Sequence, residues 1–100
     1  MTEIQATVNN RHYRLQVSNH AESSQVCTAV STLVQTLEGS LCNHDSAVCH
    51  YSILQPGNAV IEFLAEDEYP AEDFRCVLIG LMQLQKTYPE EIVLIQNFFS

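Results

Sequence analysis

One hundred residues, 46% apolar, with 12 acidic against 4 basic side chains and a formal charge of −8, are expected to form a single acidic domain spanning residues 1–100. A chain of this size buries roughly two thirds of the surface it exposes when unfolded, which is enough for a core without disulfides or metal. The charge argues against nucleic-acid binding, which needs clustered Lys and Arg against phosphates, and no stretch approaches the run of about 18 apolar residues that a membrane span or anchor requires.

Ile4, Ala6 and Val8 alternate with polar residues, Asn9 and Asn10 supply turn chemistry, and Tyr13, Leu15 and Val17 alternate again. This pattern predicts a β-hairpin. After a polar stretch from Ser18 to Gln25, Val26, Ala29, Val30, Leu33, Val34, Leu37 and Leu41 recur at three- and four-residue spacing. The spacing predicts a helix from about Val26 to about Leu41, with Ser23 or Ser24 as its N-cap.

Ala47 to Leu54 reads as a strand, Gln55-Pro56-Gly57-Asn58 as a turn, and Ala59 to Ala65 as the hairpin mate. An acidic cluster then surrounds Pro70, which suits a first helical position, and negative charge suits the positive end of a helix dipole. Phe74, Val77, Leu78, Leu81, Leu84 and Tyr88 mark one face of a second helix that Pro89 stops, and Ile92 to Phe98 reads as a final strand. The expected fold is α+β, in the order β-β-α-β-β-α-β, with one mixed or antiparallel sheet and two long helices.

The four cysteines, Cys27, Cys42, Cys49 and Cys76, lie in apolar patterns without a Cys-x-x-Cys pair and read as reduced thiols of a cytoplasmic protein. Cys42, His44, Cys49 and His50 have ligand chemistry, but adjacent strand residues point to opposite faces, so no metal is expected there. Cys76 flanks the apolar face of the second helix and reads as packing. Neither a phosphate loop nor any other cofactor motif appears.

Cys27 falls at the start of the first helix, where unpaired backbone N–H groups favour an anion, and thiolate is the nucleophilic form of cysteine. His20 ends the second strand, and the six residues from Ala21 to Val26 can fold back to bring its imidazole to the helix start. Spacing alone does not single out this pair, because a helix Cys is ordinarily a small hydrophobe and a loop His is ordinarily inert.

The string Val17-Ser18-Asn19-His20-Ala21 closing a strand, followed by Val26-Cys27-Thr28-Ala29-Val30-Ser31 opening a helix, resembles the ribosomal-processing cysteine protease family, Prp. So does Tyr88-Pro89 after the second helix. The resemblance implies a homodimeric cytoplasmic endopeptidase that removes a short N-terminal extension from a large-subunit ribosomal protein, or cuts a similar peptide. Within it Cys27 is the nucleophile, His20 the general base and Ser31 a supporting residue, with helix-start N–H groups holding the oxyanion and no cofactor.

This chain departs from the family in three places. Its His-to-Cys loop is shorter and lacks the glycine-containing segment, Asn19 stands for the Gly before His, and Ser24 stands for the Asp three before Cys. Glu22 is the nearest carboxylate to replace that Asp. The alternative implied by the short loop is a catalytically silent relative that binds peptides or proteins. Ile79 and Met82 widen the apolar face of the second helix and suit a homodimer. The segment from Leu94 to Ser100 resembles the Gln-Phe-Phe stretch, followed by a small residue, that the family cuts. It is expected to be the last strand, with docking in a cleft near Cys27, its own or a neighbour's, as a lesser hypothesis.

Overall fold

The computed structural model describes residues 1–99 and has seven elements. They are β1 (Thr2–Asn9), β2 (His12–Ser18), α1 (Ser24–Cys42), β3 (Ala47–Gln55), β4 (Asn58–Ala65), α2 (Glu68–Thr87) and β5 (Ile92–Phe99). The expected α+β class and element order are what the chain adopts. One mixed five-stranded sheet has the order β3-β4-β2-β1-β5, in which the two hairpins join through an antiparallel β2–β4 pair and β5 lies parallel to β1.

Both hairpins have two-residue turns whose sequences permit the backbone they adopt. Asn10 has φ 59° and Gly57 has φ 76°, in the left-handed region that Asn and Gly tolerate best. Ile4 and Ala6 of β1, Tyr13, Leu15 and Val17 of β2, and Ile61 and Phe63 of β4 alternate into the core. α1 covers them with a stripe of Val26, Val30, Val34, Leu37 and Leu41, and α2 with Phe74, Val77, Leu78 and Leu81. The helices approach closely at Gly80, where an added Cβ would stand 3.0 Å from Leu33 Cδ2. At the core's centre Tyr13 stacks on Phe63 with centroids 5.2 Å apart, and Phe74 meets both rings edge-on at 5.1 and 6.2 Å.

Several local expectations shift. α1 begins two residues before Val26, because Ser23 caps it: its hydroxyl accepts the Val26 N–H at 3.2 Å. α2 is capped by Asp67, whose carboxylate accepts the Tyr69 N–H at 2.9 Å, so Pro70 is the third helical residue rather than the first. An interior Pro at that place costs no ladder bond, since the first-turn N–H groups have no helical acceptor. Cys76 is exposed rather than packed, and all four cysteines are free thiols. No helix among the described residues is long and apolar enough to cross a membrane.

Candidate active site

The β2–α1 connection is a short loop held from three sides. Asn19 takes φ 69°, which turns the chain away from β2, and its N–H donates to the Gly57 carbonyl at 2.9 Å. The hydroxyl of Thr2, a buried polar side chain, donates to the Asn19 carbonyl at 3.4 Å. Further along, the Ser23 N–H donates to Glu91 Oε1 at 2.8 Å, while the Glu91 carbonyl accepts the Thr2 N–H at 2.8 Å. The loop between these anchors carries His20, and the helix they start carries Cys27.

His20 and Cys27 line the same cleft, of about 330 Å³, between α1 and the β3–β4 turn. Ser31 lines it as well, one turn beyond Cys27 on α1, and Gln35 a turn beyond that. Val17, Val30, Val34, Leu54 and Ala59 supply apolar wall, and Gln55, Pro56, Gly57 and Asn58 form the opposite rim. Apolar wall and polar groups from both α1 and the opposite rim give the cleft apolar and hydrogen-bonding surface together.

His20 is exposed and Cys27 half-buried. Cys27 Sγ donates to the Ala21 carbonyl at 3.4 Å, a weak thiol bond that occupies the S–H in this conformer. No hydrogen bond joins Sγ to His20 among the described residues. The Cys27 N–H is also committed, to the Ser23 carbonyl at 3.2 Å, which makes it the first rung of the helical ladder. With Val26 N–H on the Ser23 hydroxyl, the N–H groups left without an acceptor among the described residues are those of Ser24 and Gln25. Backbone donors of this kind stabilise an oxyanion when aimed at it.

Glu22, the carboxylate nearest His20 in sequence, is not among the cleft residues. It borders a separate shallow groove with Ser23, Tyr88, Pro89 and Glu90. The acid that braces the loop is instead Glu91, which is 68 residues from Ser23. Local sequence carries no signal for that contact; only the placement of β5 beside β1 makes it.

The Cys42, His44, Cys49 and His50 set does not converge. His44 Nε2 meets Asp73 Oδ2 at 2.8 Å, with the Ser40 hydroxyl on the same carboxylate, and its ring stacks on Tyr69. His50 Nε2 meets Glu38 Oε1 at 2.6 Å, and the Ser52 hydroxyl meets Oε2 at 2.7 Å. β3 is bulged between Val48 and Tyr51, with Cys49 at φ 53°, so the plain alternation expected for Cys49 and His50 does not hold. Each His is instead separated by its bond to a different helix. No group of three or more metal-ligating side chains occurs among the described residues.

Comparison with known proteins agrees with this architecture. The sequence profile of the family described as cysteine protease Prp matches residues 1–93. The chain belongs to the Prp family. No curated protein matches it. Among solved structures, the Staphylococcus aureus ribosomal processing protease Prp with a covalently linked product peptide superposes with a TM-score of 0.84 at 17% identity, covering 97% of this chain and 100% of that one. The same S. aureus protease with a substrate peptide gives 0.74 at 16%, with 97% and 100% covered. SMU.848 from Streptococcus mutans gives 0.76 at 22%, with 98% and 95% covered. These three likenesses show a shared fold; the family itself is given by the sequence profile.

Proposed function

We propose that this chain is a cysteine endopeptidase in which Cys27 is the nucleophile and His20 the general base. Its substrate is a peptide with a large apolar residue before the scissile bond, such as the N-terminal extension of a large-subunit ribosomal protein in the cytoplasm. The observation that carries the reading is the cleft that both residues line, in a chain of the Prp family. The S. aureus relative's peptide complexes support a peptide ligand.

In this mechanism bound peptide displaces Sγ from the Ala21 carbonyl, and His20 takes the thiol proton. The thiolate attacks the scissile carbonyl carbon, and the C=O electron pair moves to oxygen, which N–H groups at the start of α1 receive. Collapse breaks the C–N bond, and the leaving amine takes the proton from His20. Water, deprotonated by His20, then cleaves the thioester and restores the thiol. Ser31 supports the bound peptide from the turn below Cys27.

A silent peptide-binding relative is the second reading, favoured by the bond from Sγ to Ala21 rather than to His20. Iodoacetamide separates the two. Cys27 is the least exposed of the four cysteines by class, so faster alkylation has to come from activation and not from access. The peptidase reading expects Cys27 to react at least about tenfold faster than Cys42, Cys49 and Cys76 at neutral pH, as an activated thiol does. Equal or slower reaction, with no cutting of a peptide carrying Phe-Phe before a small residue, selects the silent relative.

We propose in addition that the chain forms a homodimer. An apolar groove of about 360 Å³ runs between α2 and β5, bordered by Phe74, Leu78, Ile79, Met82 and Phe98, with Ile79 and Phe98 more than half exposed. A second copy seated there removes that area from water. Light scattering at micromolar concentration is expected to give twice the mass of 11.3 kDa, and Ile79→Glu to halve it. A monomeric mass for the unaltered chain removes the dimer.

A further inference from the structure

Gly57 lies directly against the His20 ring. A Cβ built on Gly57 would stand 2.8 Å from His20 Nε2, 3.2 Å from Cδ2 and 3.4 Å from Cε1. Favourable contact between such atoms begins at about 3.5 Å, so no side chain fits at position 57 while the ring keeps its place. The turn itself demands less. Its φ of 76° could be met by Asn, which this chain uses at Asn10 (φ 59°) and Asn19 (φ 69°). With the ring in this place, the Cβ of Asn or of Ala would collide with it, and the imidazole would have to shift.

The same glycine holds the backbone that carries the ring, because its carbonyl accepts the Asn19 N–H one residue before His20. Thr2 takes the other side of Asn19 through its carbonyl. An exposed loop imidazole is therefore seated on bare backbone and tethered through the preceding peptide. We propose that Gly57 is a positioning residue for the base: the β3–β4 turn sets where the His20 imidazole stands along the cleft wall. This inference rests on the reading of His20 as general base. Because Gln55, Pro56, Gly57 and Asn58 also border the cleft, a peptide bound there would meet the turn against which the ring rests.

The test compares Gly57→Ala and Gly57→Asn with Asn10→Ala, which strains a left-handed turn at the far end of the same sheet. The first readout is stability in the unaltered and the His20→Ala backgrounds. Contact with the ring predicts that either Gly57 substitution lowers the melting temperature less once the imidazole is gone; an equal loss in both backgrounds overturns the proposal. The second readout is the pH profile of Cys27 alkylation. Both Gly57 variants are expected to approach the profile of His20→Ala and to react roughly 100-fold more slowly at neutral pH, the scale of a misplacement of about 1 Å, while Asn10→Ala keeps the unaltered profile. An unaltered profile in Gly57→Ala also overturns it. If Cys27 in the unaltered chain reacts no faster than the other three thiols, the peptidase reading fails, and the stability comparison still decides whether Gly57 seats the ring.

Discussion

Cys27→Ala and His20→Ala are each expected to slow peptide cleavage by on the order of 10⁴-fold, and the double variant by no more than the worse of the two, because nucleophile and base act as one unit. The expectation follows from the proposed proton path: without the imidazole nothing in the cleft takes the thiol proton, and without the sulfur nothing accepts the acyl group. Replacing Cys42, Cys49 and Cys76 by Ser together is expected to leave the rate unchanged, since all three are exposed and none lines the cleft. Cleavage of a Phe-Phe peptide is read by the appearance of its two products. Undiminished cutting by Cys27→Ala protein would end the dyad, and losses that multiplied in the double variant would show that the two residues act independently.

Phe63→Ala is expected to cost about 3–5 kcal/mol, the range for deleting a fully buried aromatic side chain. Phe63 is fully buried, stacks on Tyr13 and meets Phe74, so its removal leaves two rings facing a void that neither the sheet nor α2 can close. A domain of this size holds only about 5–15 kcal/mol in all, and each kcal/mol is worth about 4–8 °C, so the melting temperature should fall by more than about 12 °C. Tyr51→Ala is the matched control, because Tyr51 is more than half exposed and lies outside the apolar groove. A drop for Phe63→Ala no greater than that for Tyr51→Ala would mean that the three rings are not the centre of the core.

Regular elements were legible in the sequence because burial writes a period into them. The alternation Tyr13, Leu15, Val17 and the three- and four-residue recurrence from Val26 to Leu41 are the direct imprint of a sheet face and a helix stripe on one core. The cap of α1 was narrowed to Ser23 or Ser24, and the choice depended on which hydroxyl reached Val26. The candidate pair, His20 and Cys27, could be named only through the resemblance of Val17–Ala21 and Val26–Ser31 to the Prp family, since spacing alone does not single it out. Its surroundings could not. Thr2, Gly57 and Glu91 come from three distant parts of the chain, and only the strand order sets β5 and the β3–β4 turn beside the loop. Glu22 was the nearest acid in sequence, yet Glu91, arriving from the far end of the chain, makes the contact with Ser23.

The parallel pairing of β5 with β1 separates the two ends of the chain by a strand's length. Ile92 stands beside Thr2 and Phe99 beside Asn9, a run of about 23 Å at roughly 3.3 Å per residue. Thr2 borders the cleft, so Phe98 and Phe99 point away from their own Cys27, and self-docking of this segment in its own cleft is ruled out by direction alone; Ser100 lies outside the described residues. The same geometry ranks attachment points for handling the protein. A tag or tether attached at the Phe99 end of β5 starts a strand's length from the cleft, whereas one attached at Met1, whose ammonium donates to the His20 carbonyl at 3.5 Å, starts beside it.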